Sequence, residues 1–179
     1  MNRAMTSRTL FAVAPAPVWR LLWLWVPMLG AIALVIATTL QSPQRTPHEL
    51  GLTLPFVLLV SGVLTWAFFR RRISIEDGEL AVLSTFYRRR VPLASLALDK
   101  ARIVDLAEHR QFKPGMKTNG YAMPGFQSGH YRMGGHKAFC LITDASRVLY
   151  LPLRDGNVLL LSPESPRALL DALNAHATR

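Results

Sequence analysis

Two apolar runs of 20 residues dominate the first part of the chain: LLWLWVPMLGAIALVIATTL at 21–40 and LGLTLPFVLLVSGVLTWAFF at 50–69. Neither contains Asp, Glu, Lys, Arg or His. At about 1.5 Å rise per residue, each predicts a helix of about 30 Å, which matches the hydrocarbon core of a bilayer. Between them lies QSPQRTPHE, residues 41–49. There Thr46-Pro47-His48-Glu49 forms a capping box with proline at the first helical position, so the second helix is expected to start there. A gap this short makes the two spans antiparallel neighbours. Pro27 lies inside the first run and is expected to kink it, with neighbours re-satisfying the freed carbonyl.

From Ile73 the pattern changes to short segments punctuated by turns. ISIE, Asp77-Gly78 and ELAVLSTFY read as a hairpin on a type I′ turn. VPLASLALDKARIVDL predicts a bend, a short helical turn and a strand near 102–106. Residues 108–128 are rich in Gly and Pro and read as one long structured loop. Two more hairpins follow, turning at Gly134-Gly135 and Asp155-Gly156. This count gives seven strands, and three two-residue hairpin signals favour an antiparallel sheet. The final segment, SPESPRALLDALNAHATR, reads as a helix. Ser162 or Ser165 would cap it, and Leu169, Leu170 and Leu173 would lie against the sheet.

Charge orients the apolar pair. The 179-residue chain carries a net charge of +10. Residues 1–72 hold seven arginines against Glu49 alone. Three precede the first run, one (Arg45) lies in the connection, and three (Arg70, Arg71 and Arg72) follow the second. The positive-inside rule then places both termini in the cytoplasm, with Arg20, Arg70, Arg71 and Arg72 flanking the membrane. The first run is too long for a cleaved signal core and lacks an A-x-A-like site, so a retained anchor is expected. No nucleic-acid motif accompanies the charge, and nucleic acid is not expected as a partner.

Candidate chemistry is sparse. Cys140 stands alone in AFCLITD as a small buried hydrophobe. His130 and His136 flank a turn without the further ligands that zinc needs. No HExxH, G-x-S-x-G, Walker A or kinase signature is present. Ser61 and Thr65, and Thr38 and Thr39, lie in the runs, where hydroxyls bond their own helix backbone. Catalytic residues, metal and cofactor are therefore all expected to be none.

The stretches KTNGYAMPGFQSGHYRM, FCLITDASRVLYLPL and DGNVLLLSPESPRALLDAL resemble the bacterial PH-like (pleckstrin-homology-like) domain family. The resemblance runs over about 73–173 and is strongest over 117–173. Lys117-Thr118-Asn119-Gly120, Pro124-Gly125 and Leu161-Ser162-Pro163 carry most of it. It implies a bent antiparallel sheet of seven strands closed by a C-terminal helix, and it transfers no catalytic residue.

The expected architecture is α+β, mostly β. It comprises a basic tail (1–20), a transmembrane helical hairpin (21–72) and a PH-like domain (73–179). The expected function is a non-enzymatic display of a cytoplasmic binding or scaffolding domain at the bacterial inner membrane. The alternatives are an accessory or regulatory subunit of a membrane complex and, further off, a membrane enzyme. Partners are the bilayer and either anionic headgroups or a membrane protein. The candidate binding residues are Arg88, Arg89, Arg90, Lys113, Lys117, Thr118 and Asn119. For these the competing reading is a solvated strand edge and a loop that only closes the fold.

Overall fold

Uninterrupted apolar sequence produces long helices. In the computed structural model, which describes residues 8–41 and 47–177, a short turn at Val18–Leu21 runs into helix α1 (Leu22–Gln41). Helix α2 spans Pro47–Phe69. Both are long and apolar enough to cross a membrane. Large side chains such as Leu34, Phe56 and Leu59 face outward rather than into a core. Pro27 and Pro55 lie inside the helices. The Trp25 indole N–H donates to Thr65 Oγ1 at 3.1 Å, linking α1 to α2. Thr65 Oγ1 in turn donates to the Ser61 carbonyl at 2.7 Å. Thr38 and Thr39 donate to the Val35 carbonyl at 3.0 and 2.8 Å, so the three threonine hydroxyls bond their own helix backbone, whereas the buried Ser61 hydroxyl, expected to do the same, makes no hydrogen bond among the described residues. The capping box expected at Thr46–Glu49 lies outside the residues described at side-chain level.

The remainder, residues 8–16 with 70–177, is a second unit with its own core. Its ten strands form two sheets. The first has the order β1 (Thr9–Phe11), β2 (Arg71–Glu76), β3 (Glu79–Ser84), β4 (Tyr87–Pro92), all antiparallel. The second comprises β5 (Arg102–Val104), β6 (Lys117–Met123), β7 (Phe126–Met133), β8 (His136–Ile142), β9 (Val148–Pro152) and β10 (Val158–Leu161). Its spatial order is β5-β9-β10-β8-β7-β6. Helix α3 (Pro166–Ala177) follows, starting directly after Ser165, the later of the two candidate caps.

Strand alternation explains both cores. Ile73, Ile75, Leu80, Val82 and Val91 of the first sheet meet Phe139, Leu141, Leu149, Leu151, Leu159 and Leu161 of the second. Leu169 and Leu173 of α3 complete that cluster. The intervening residues Ala138, Cys140, Ile142, Val158 and Leu160 point the other way. There they are covered by Leu106 and Phe112 from the segment after β5. Residues 158–161 therefore read as a continuous apolar run because both faces of that strand are buried.

Three strands exceed the seven expected. β1 comes from the stretch read as a tail. β4 arises because Thr85 (φ 54°) reverses the chain inside ELAVLSTFY, its N–H donating to the Arg70 carbonyl at 2.8 Å. β6 occupies part of the stretch read as one long loop. Pro124-Gly125, with Gly125 at φ 72°, is itself the β6–β7 hairpin turn. The sheet is also not wholly antiparallel, because β10 lies beside β8 in parallel. The segment 143–147 is long enough to step across the intervening β10 before β9 starts, about 10 Å for two strand spacings.

Buried hydroxyls join the two sheets. Ser84 Oγ lies 2.6 Å from Ser128 Oγ, which lies 2.7 Å from Thr85 Oγ1. Thr85 Oγ1 donates to the Ser84 carbonyl at 2.7 Å. With the Thr85 proton on the Ser84 carbonyl, Ser128 donates to Thr85, and Ser84 Oγ shares its proton between Ser128 and the Cys140 carbonyl at 3.3 Å. Next to this relay the backbone is crowded. Gly129 has φ 103°, and a Cβ there would meet Asn119 O at 2.6 Å and Gly120 Cα at 2.7 Å. Gly129→Ala is expected to cost about 2 kcal/mol, seen as a lowered urea midpoint, because backbone atoms cannot step aside.

Candidate functional site

The outward face of the first sheet is set by the same alternation that buries Ile73 and Ile75. On β2 it presents Arg72, Ser74 and Glu76, and on β3 Glu79, Ala81 and Leu83. Opposite them on β4 stand Arg88 and Arg90. The register pairs Leu83 with both Arg72 and Arg88, and Ala81 with both Ser74 and Arg90. Arg72 and Arg88 therefore flank one central strand, with backbones about 10 Å apart and side chains free to converge over Leu83. Small side chains at Ser74 and Ala81 leave a floor below them. The result is a cleft of about 330 Å³, walled by Arg8, Arg70, Arg72, Arg88, Glu76 and Phe86.

Charge is graded along this cleft. At the Asp77-Gly78 end the acids are matched. Arg8 Nε contacts Glu76 Oε1 at 2.6 Å, and Arg90 Nη1 lies 3.9 Å from Glu79 Oε2. A hydrogen bond from Ser74 Oγ at 2.7 Å holds the Glu76 carboxyl below its ordinary pKa, helped by Arg8, Arg90 and Arg88. At the other end stand Arg72 and Arg88, with Arg70 beside them. Arg72 and Arg88 form no salt bridge among the described residues, and both are exposed.

The residues singled out in the sequence do not form one cluster. The 88–90 triplet is divided by strand alternation. Arg88 and Arg90 face outward, while Arg89 points between the sheets into a niche of about 40 Å³ with His130, Lys137 and Asn157. Arg71 likewise leaves the cleft, its guanidinium lying 5.8 Å from the Phe126 ring centroid. Arg20 sits in the turn before α1. Lys113 lies beside a separate hollow of about 220 Å³ with Leu106 and Gln127. Lys117, Thr118 and Asn119 are on the edge strand β6. Thr118 Oγ1 donates to the His130 carbonyl at 3.0 Å, and Asn119 Oδ1 accepts from the Tyr87 hydroxyl at 2.7 Å. Thr118 and Asn119 thus bind the fold. Of the seven candidates, only Arg88 lines the cleft.

Arg8, Ser74 and Ala81 escaped the sequence reading. Ser74 and Ala81 were discoverable, since they alternate with core positions. Arg8 carried no signal, because its place depends on pairing across an insertion of some 60 residues.

His130 has a different environment. It stacks edge-on against Phe139 and Tyr87, at centroid distances of 5.1 and 5.8 Å. Burial, then Arg89 and Lys137, lower its pKa from 6.5. The neutral ring is therefore favoured in the fold. Stability is expected to be level above pH 6.5 and to fall as pH drops from there through the folded-state pKa. Urea titrations across this window check it, and His130→Gln should remove that part of the slope. Elsewhere, burial pushes the Cys140 thiol up, so it is unreactive in the fold. Among the described residues no three His, Cys, Asp or Glu side chains gather as a metal site needs.

Neither a curated protein nor a solved structure matches the chain. The family model described as bacterial PH domain matches residues 71–177, more than half the chain and nearly all of the two-sheet unit. With two packed sheets closed by a C-terminal helix, the chain belongs to the bacterial PH domain family.

Proposed function

We propose that this protein is a non-enzymatic membrane protein that displays its PH-like domain on the cytoplasmic face of a bacterial inner membrane. One observation carries the reading. The helical pair is inserted in sequence between two neighbouring strands, β1 and β2, which pair Thr9 with Ile75 and Phe11 with Ile73. Residues before the first span and after the second thus build one sheet, and they can do so only in one compartment. An even number of crossings is required, and two apolar helices supply it. The arginine count then selects the cytoplasm for that compartment. Anchoring keeps the domain at high local concentration near the bilayer, so weak contacts with a surface or partner suffice. A binding rather than catalytic role follows the family, whose domains generally bind without catalysis.

The test uses single cysteines in a Cys140→Ser background, labelled with an impermeant maleimide in sealed vesicles of either orientation. Leu10→Cys and Asn174→Cys are expected to react only from the cytoplasmic side, and Gln44→Cys only from the opposite side. Labelling of Leu10→Cys and Asn174→Cys from opposite sides would refute the reading.

A further inference from the structure

We infer that the niche between the two sheets, where Arg89 of β4 meets His130 and Lys137, is a binding site for one small monovalent anion of chloride size. It is separate from the cleft on the outer face of the first sheet, and it stands without the membrane-display reading.

The niche follows from the register. β4 is an edge strand, and Arg89 pairs there with Val82, a core residue. Partners across a ladder share a face, so Arg89 points between the sheets. Tyr87, two residues earlier on that face, closes the gap beside it. Its hydroxyl donates to Asn119 Oδ1 at 2.7 Å, and its ring meets the His130 ring at 5.8 Å. On the second sheet, the parallel pairing of Val158 with Ala138 sets Asn157 beside Lys137. Arg89, His130, Lys137 and Asn157 thus come from four separate segments to line one hollow of about 40 Å³. Phe139 and Leu159, both buried, form its apolar wall.

Charge in the niche is unbalanced. No acid lines it among the described residues. Neither Arg89 nor Lys137 forms a salt bridge or a side-chain hydrogen bond among them. Asp155 attracts Arg89 from outside the lining, but each of its carboxylate oxygens accepts a hydrogen bond from Asn157. One positive charge remains uncompensated even with Asp155 counted. Both cations are felt at one point, since Arg89 and Lys137 each depress the pKa of His130. Beside buried apolar side chains their attraction for an anion exceeds its strength in open water. An inward charge on an edge strand also deters edge-to-edge pairing, but that role needs no second cation next to it. Size selects the ligand. The hollow is little larger than the share of one water in the liquid, about 30 Å³, so it admits a monatomic anion and excludes a phosphate ester.

The full-length protein in a non-ionic detergent is titrated with sodium chloride, with sodium gluconate holding the ionic strength constant, and the excess ³⁵Cl NMR linewidth is read. The wild type is expected to show a saturable excess that bromide displaces. Arg89→Gln and Lys137→Gln are each expected to weaken chloride binding roughly fivefold or more, because each removes a charged donor. Lys137→Arg should retain it. Arg110→Gln, an equal loss of charge away from the niche, should leave it unchanged. Resistance of the buried Cys140 to a thiol reagent shows that each variant is folded. If Arg89→Gln loses that resistance, Lys137→Gln decides, since that position is exposed. No saturable excess in the wild type, or an equal excess in the wild type and Lys137→Gln, would overturn the site.

Discussion

Leu169→Ala is expected to destabilise the PH-like domain by about 3 kcal/mol, within the usual 2–5 kcal/mol for a buried leucine. Leu169 and Leu173 are fully buried among Ile73, Leu141 and Leu161. Spaced at i and i+4 on the amphipathic α3, they hold the helix between the sheets. Truncation leaves a cavity in a core built from two sheets and a helix, and neither sheet can collapse onto it without losing register. Cys140 makes this measurable. It is the only cysteine, it is fully buried, and all four tryptophans lie at 19–66, outside the domain. Pulse labelling of the thiol in urea therefore reports domain unfolding alone. The expected result is a lowered midpoint with an unchanged slope. A variant midpoint equal to that of the wild type would mean that α3 does not close this core.

The second large effect concerns the segment before the first span. Replacing residues 9–14 with a Gly/Ser linker of equal length keeps the connection to α1 but removes Phe11 and Val13, which pack against the main core. It also weakens a set of bonds that tie this segment to distant parts of the domain. Ala14 N–H donates to the Ser162 carbonyl at 2.9 Å, Thr143 Oγ1 donates to the Ala14 carbonyl at 2.7 Å, and Glu164 N–H donates to the Ala12 carbonyl at 2.9 Å. Two half-buried apolar side chains and the added glycine entropy together come to about 3 kcal/mol. The same thiol assay should report this loss although Cys140 is far away in sequence. If the domain keeps its wild-type midpoint, the segment is an ornament rather than a part of the fold.

How much of this was legible in the sequence depended on whether the signal was local. The spans were legible because 20 uncharged residues state their own environment. The hairpins at Asp77-Gly78, Gly134-Gly135 and Asp155-Gly156 were legible because turn chemistry is local, and all three appear. The helix at Pro166–Ala177 followed from its proline and its leucine stripe. What was missed depends on distant partners. Thr9–Phe11 is too short and too close to prolines to announce a strand, and its partner lies beyond both spans. Lys117–Met123 was hidden by glycine, which here permits close approach to Ser128 rather than ending the strand. In the candidate site, runs of arginine drew attention as blocks, but a strand sends alternate residues to opposite faces. That separated Arg89 from Arg88 and Arg90, and Arg71 from Arg72. The cleft was recoverable only after Ile73 and Ile75 had been placed inside.

The central claim is that the chain before the first span and the chain after the second meet in one sheet, and a disulfide tests it most directly. Leu10 and Ser74 stand directly opposite in the β1–β2 register. Directly opposed antiparallel residues lie about 4.5–5.5 Å apart at Cα, within disulfide reach. Leu10→Cys with Ser74→Cys, in a Cys140→Ser background, is expected to form an intramolecular crosslink in intact membranes under mild oxidation. Leu10→Cys with Ala81→Cys, one strand further away, should not. Absence of the Leu10–Ser74 crosslink in membranes, with both thiols labelled once the oxidised protein is denatured, would contradict the account.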